Sequence, residues 1–273
     1  IPALEDDAHV VITGRVADPS LFLAPIMHHF NWTIDDWTRL GAGTLVGHLM
    51  ECAAQVTGGY FADPGFKSVP NLAYVGFPIA EVSADGTAVI TKLANTGGMV
   101  TTQTVKEQLL YEVHDPTAYL TPDVTADFSK VNVSEVGADR VQVSNASGTA
   151  RPDQLKVTVA FDGGYLAEAE VSYAGPGAAD RAALAGVIIK DRINKVHGIQ
   201  TSCRTDLIGL NALHQIETEF TPNIQDVRLR TALRTNERDA AQALLWEVEA
   251  LLCCGPAGGA GYRGRIEPSV LTY

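Results

Sequence analysis

From Val131 to Val171 the side chains alternate between apolar and polar, and no other part of the chain limits its fold as much. The runs are Val131-Asn132-Val133, Arg140-Val141-Gln142-Val143, Leu155 to Phe161 and Ala167-Glu168-Ala169-Glu170-Val171. A period of two with one wet face predicts antiparallel strands rather than helices. Gly137-Ala138-Asp139 and Asp162-Gly163-Gly164 supply the turns. After Gly175-Pro176-Gly177 the pattern predicts a helix over 178–196, then a short strand near Asp206 to Asn211. Asp226 to Arg234 alternates arginine with apolar residues, so its arginines share one face of a strand. A helix from Glu237 to Cys253, a glycine loop from Gly255 to Gly261 and a last strand complete the pattern.

The chain before residue 129 reads differently. Val10-Val11-Ile12-Thr13 is β-branched and apolar, the mark of a buried parallel strand with ligands gathered at its carboxyl end. A helix beginning at Asp35 or Asp36 continues to Gln55 and carries Gly41, Gly43 and Gly47, which demand a close crossing with another element. Ala84-Asp85-Gly86, between two β-rich runs, is a hairpin signal. The expected class is α/β with mixed sheets. A parallel α/β portion with glycine loops spans 1–128 and an antiparallel-rich α+β portion spans 129–273. The first is expected to be completed by a missing or separate amino-terminal segment, since its opening strand needs neighbours.

Thr91 to Phe128 is the expected working stretch. Gly97 and Gly98 precede a helix whose first turns hold Lys106, Glu107 and Gln108, so an anion could rest on free amides at the helix start. The competing reading is a plain turn from hairpin into helix. His48, Glu51, Cys52 and Gln55 fall on one side of the preceding helix, just before Gly58 and Gly59. That stripe is either a catalytic face, with His48 or Glu51 as base and Cys52 as nucleophile, or a solvated stripe with a buried thiol. Glu107 is a further candidate base. Tyr119, Asp123 and Asp127 could line the cleft, or serve only turn chemistry. Arg15 and Asp18 follow the first strand as ligand contacts or as an ion pair and helix cap. Arg228 and Arg230 would hold an anionic handle.

A net charge of −12 argues against non-specific nucleic-acid binding, which needs a basic surface. No run approaches the roughly 18 apolar residues of a membrane span, and the expected location is the cytoplasm. Cys52, Cys203, Cys253 and Cys254 form no CxxC pair and are expected to be free thiols; no metal is called for.

ITGRVADPS, HLMECAAQVTGGYFADPGFK, GFPIAEV, TGGMVTTQTVKEQLLYEVHDPTAYLTPDVTADF, SYAGPGA and GPAGGAG, in this order, resemble the acyclic terpene utilisation (AtuA-type) family over essentially the whole chain. Members usually carry an additional amino-terminal portion ahead of ITGR. The resemblance implies a role in bacterial catabolism of citronellol- and geraniol-type terpenoids, and it assigns no residue a role. The expected function is a lyase or hydratase acting on a branched acyl-CoA or carboxylate, with CoA entering only as part of the substrate. The alternative is a scaffold or regulatory subunit of an acyl-CoA-processing complex. Expected partners are a small anionic substrate, further copies of the chain or an amino-terminal partner chain, and neither nucleic acid nor membrane.

Overall fold

The computed structural model describes residues 1–213 and 224–273. Two compact units emerge, Ile1–Lys156 and Val157–Tyr273. The division expected at 128/129 falls inside the first. Within the described residues the architecture mixes six α-helices with three sheets whose neighbouring strands are all antiparallel.

The parallel strand expected at Val10–Thr13 does not form: the segment has no regular secondary structure and belongs to no sheet, with Val10 77% and Ile12 91% exposed. β-branched composition favours an extended backbone, but a strand also needs a neighbour to take its hydrogen bonds. Nor do Arg15 and Asp18 form the expected ion pair and cap. Helix α2 (Ser20–Phe30), which follows the short α1 (Pro2–Glu5), has Pro19 at its N-cap and no side-chain cap.

Helix α3 (Trp37–Glu51) is the axis of the first unit. Asp36 caps it, accepting from the Arg39 amide at 3.2 Å, and every residue from Leu40 to Leu49 is buried. Three glycines cost such a helix about 1 kcal/mol each relative to alanine. Burying Leu40, Leu45 and Leu49 contributes about 2 kcal/mol each, which outweighs that cost. The glycines allow the burial. A Cβ on Gly41 would overlap the Ser147 carbonyl group, and one on Gly47 would lie 2.7 Å from the Pro19 Cα. Around α3 stand β1 (Pro78–Val82), β2 (Ala88–Lys92), α4 (Thr102–Leu110), β3 (Tyr119–Leu120), β4 (Thr125–Asp127), β5 (Asn132–Gly137), β6 (Arg140–Ser144) and β7 (Ser147–Thr149). The hairpin at Ala84-Asp85-Gly86 is present, pairing Val82 with Ala88. Sheet order is β1-β2-β6-β5, with β3-β4-β7 separate, so pairing of β2 with β6 runs across position 128.

The second unit runs β8 (Ala160–Ala174), α5 (Ala178–Asp191), β9 (Cys203–Ile208), β10 (Asp226–Thr235), α6 (Arg238–Cys254) and β11 (Ala260–Thr272). Its sheet order is β11-β8-β10-β9. Numbered within the unit this is 4-1-3-2, two split βαβ halves, the topology of a ferredoxin-like plait. The expected run 155–161 becomes strand only from Ala160. Ala167, Ala169, Val171 and Tyr173 of β8 point to the core with Val227, Leu229 and Leu233 of β10. Helix α5 meets them through Ala178, Ala182, Ala185 and Ile189, and α6 through Ala241, Leu244, Val248 and Leu251. Both stripes have the spacing of a helix with one apolar face, so both helices cover the same side of the sheet.

Helix α5 continues as a π-helical turn, Arg192–Val196, where Glu247 of α6 binds the Arg192 guanidinium and accepts or shares a proton with His197 Nε2 at 2.6 Å. The Arg192 hydrogen bonds hold the Glu247 carboxyl below its ordinary range. Asp206, 2% exposed, is also lowered: burial alone would raise it, but hydrogen bonds from Arg230 and Arg204 prevail. A carboxylate with a depressed folded pKa stabilises above its unfolded value and loses that contribution as pH falls through the folded one. The second unit should therefore lose stability on acidification below about pH 4. Circular dichroism melts should show this, and Asp206→Asn should make the loss shallower.

Candidate functional site

The amides around Met99 have internal partners. Gly97 N donates to Tyr74 O at 2.7 Å, Gly98 N to Pro70 O at 2.8 Å and Met99 N to Thr57 O at 2.9 Å. Thr101 and Thr104 close a capping box at the start of α4. The expected anion cradle does not exist, and Gly97 is small because a Cβ there would overlap the Asn71 carbonyl. Gly58 N and Gly59 N likewise donate to Gln55 O and Ala54 O in the turn leaving α3.

The polar stripe of α3 does assemble with α4. His48 Nδ1 lies 2.9 Å from Glu51 Oε1, with side chains 1% and 12% exposed. A carboxylate at Nδ1 makes that nitrogen the donor and leaves Nε2 as the acceptor. From α4, Gln108 Nε2 donates to the His48 carbonyl at 3.0 Å. The ring of Tyr119 lies 5.2 Å from His48 and that of Phe128 6.0 Å, stacked. His48 Nε2, Glu51 Oε2, Gln108 Oε1 and Thr44 Oγ1 are buried without a partner among the described residues. Unpaired buried polar atoms are uncommon, and three of these four are acceptors, so the cluster asks for a donor such as water or a substrate hydroxyl.

Burial pushes the Tyr119 phenol up, with the Glu51, Asp18 and Glu112 carboxylates adding to it, so it stays a neutral proton donor. Burial also raises the Cys52 thiol, against a lowering hydrogen bond from Gln108, and Glu51 adds to the rise. A thiol held neutral is a poor nucleophile, which weighs against Cys52 attacking a substrate. Iodoacetamide at neutral pH should label the exposed Cys253 and Cys254 well before Cys52, as read by peptide mass spectrometry. Labelling of Cys52 first would restore it as a nucleophile.

Beside the cluster a cleft of about 300 Å³ is lined by Gln55, Tyr60, Phe61, Thr104, Lys106, Glu107, Gln108, Leu110 and Tyr111. Gln108 belongs to both. Glu107, the other candidate base, sits on the rim with its side chain 47% exposed and ion-paired to Lys67. Lys106 stands free at the rim among the described residues.

The chain matches, over residues 1–273, the family described as acyclic terpene utilisation family protein AtuA. It belongs to that family. No curated protein and no solved structure shows significant similarity to it. This AtuA-family chain has no described helix long and apolar enough to cross a membrane.

Of the residues singled out in the sequence, His48, Glu51, Cys52, Gln55, Lys106, Glu107, Gln108 and Tyr119 gather at the cluster or its cleft. Others lie elsewhere or have structural work. Asp123 accepts from Ser20 Oγ at 2.7 Å, and Asp127 takes the Ser129 amide and hydroxyl in a local turn. Arg15 is exposed in a loop. Arg228 and Arg230 belong to the second unit, bonded to Glu170 and Asp206. Sequence reasoning missed Thr44 and Phe128. Thr44 extends the 48–51–55 stripe one turn back, a signal that was available; Phe128 reaches His48 through tertiary packing and left none.

Proposed function

We propose that the first unit is the acid–base site of a cytoplasmic lyase or hydratase acting on a branched acyclic terpenoid chain, presented as an acyl-CoA or a free carboxylate. The observation that carries this reading is His48, held by Glu51 through Nδ1 and leaving Nε2 buried and unpaired. In the hydration direction Nε2 takes a proton from water while the water oxygen bonds to the β-carbon of an unsaturated acyl chain. A neutral donor, the Tyr119 phenol, gives a proton to the α-carbon and regains one from the His48 imidazolium, which restores both groups. Tyr60, Phe61, Leu110 and Tyr111 give the cleft an apolar wall for a hydrocarbon tail. Lys106 at the rim suits the anionic end. Gln108 lines the cleft and is bonded to the His48 carbonyl, and in this reading it turns aside to admit the substrate to Nε2.

The test is to incubate the protein with a panel of branched, α,β-unsaturated acyl-CoAs and the corresponding acids, following loss of the conjugated-enoyl absorbance. Turnover that disappears in His48→Gln supports the reading; equal behaviour of both proteins, or no turnover across the panel, rejects it.

The exposed apolar run Val10–Ile12 favours a second reading, a subunit of an acyl-CoA-processing complex or homo-oligomer in which another chain covers that run. Light scattering decides it, since a monomer active by itself ends this alternative.

A further inference from the structure

Strand register places a row of alternating charge across the uncovered side of the second unit's sheet. Arg263 of β11 stands opposite Glu170 of β8, which stands opposite Arg230 of β10, which stands opposite Asp206 of β9. Residues paired across strands share a face, and this is the face away from α5 and α6. On one side the neighbouring row is Arg265, Glu168, Ala232 and Arg204, and on the other Arg228 stands opposite Ser172.

The charges do not balance locally. Arg228 binds Glu170, Arg265 binds both Glu168 and Glu267, and Arg204 and Arg230 share Asp206. Arg263 has no carboxylate partner among the described residues. Surplus positive charge therefore sits at Arg263 and on the Arg204–Arg230 pair. Between Arg263 and Arg230 lies a groove of about 250 Å³, whose remaining walls are Glu168, Glu170, Gly264 and Arg265. Of the two glutamates in its wall, Glu170 is paired with Arg228 and Glu168 with Arg265, which Glu267 shares.

The groove is also held rigidly. Asp206, 2% exposed, takes Arg204 Nε at 2.9 and 3.0 Å and Arg230 Nη2 at 2.8 Å. This fixes the Arg230 fork and leaves its other N–H groups without a protein acceptor among the described residues. A register shift between Ala260 and Arg263 bends β11 beside the groove, and such bulges re-aim the side chains they carry.

We propose that this groove is an oxyanion site for a doubly charged phosphate group, held between Arg263 and Arg230, where planar guanidinium forks match phosphate oxygens. The phosphate is either free or part of a larger phosphorylated ligand. The site is independent of the acid–base cluster of the first unit.

Isothermal titration calorimetry on the whole protein tests it with inorganic phosphate, pyrophosphate and adenosine 3′,5′-bisphosphate. Binding is expected to weaken about tenfold or more in Arg263→Gln, the loss of a charge-assisted pair, to weaken with added salt, and to be unchanged in Arg238→Gln on α6. Arg263 is exposed and has no carboxylate partner among the described residues, so its substitution should leave the fold intact, which circular dichroism of the variant is to check. Equal affinities for the three probes identify a free anion, and a clear preference for the nucleotide identifies a larger ligand. No binding of any probe, or binding that Arg263→Gln leaves unaltered, overturns the proposal.

Discussion

His48→Gln is expected to lower turnover of an unsaturated branched acyl substrate by a hundredfold or more, the usual contribution of a positioned general base being about 10²–10⁴. Glutamine keeps a polar group in the space between α3 and Tyr119, so the melting curve should move little by comparison. Glu51→Gln separates orientation from proton transfer. A glutamine amide can donate to Nδ1, which would put the imidazole proton on Nε2 and remove the acceptor. The rate should fall nearly as far while substrate affinity stays close to that of the parent protein. Steady-state kinetics on both variants, set beside their melting curves, give the answer. Parent-like kcat in either one removes the His48–Glu51 pair from the chemistry.

The second large effect is on stability. Gly41→Ala would drive a methyl group into the backbone of β7, overlapping the Ser147 carbonyl and lying 2.8 Å from Gly148 N. Backbone cannot swing away as a side chain can, so α3 or the β3-β4-β7 sheet must shift. Overpacking of this kind costs about 3 kcal/mol or more, a fall in melting temperature of roughly 6–12 °C for a unit of this size. Gly14→Ala is the comparison: its Cβ would meet nothing within 4 Å, and a surface change of that kind should stay within about 0.5 kcal/mol. Equal melting of the two variants would mean that α3 and β7 are not packed this closely.

Where the sequence carried a local signal, the structure follows it. Two-residue alternation announced β10, and the arginines of Asp226–Arg234 do share a face. Asp36 was readable as a cap, and glycines at 41, 43 and 47 as a close crossing. Val10–Thr13 shows the limit of such reading. Composition states what backbone shape a segment prefers, whereas strand formation depends on a neighbour that may lie anywhere in the chain. The glycine pair shows a second limit. Gly97 and Gly98 mark a place where backbone approaches backbone, and a sequence does not distinguish an approach to a ligand from an approach to Asn71. The candidate site was half legible. Helical spacing gathers His48, Glu51, Cys52 and Gln55 at one end of α3, but Tyr119 arrives from β3 and Phe128 from just after β4, and the empty hydrogen-bonding capacity of the cluster is a property of three-dimensional packing alone.

The 4-1-3-2 strand order also governs how the second unit can come together. Each βαβ half leaves a gap that the other half's strand fills, like the teeth of two combs. Strand β8 sits between β11 and β10, both supplied by the later half, and only β9 and β10 are neighbours in chain order as well as in space. The unit therefore offers no stable halfway stage: β8 and β9 meet only through β10, β11 then closes on the far side of β8, and damage to either half should dissolve the whole plait as one.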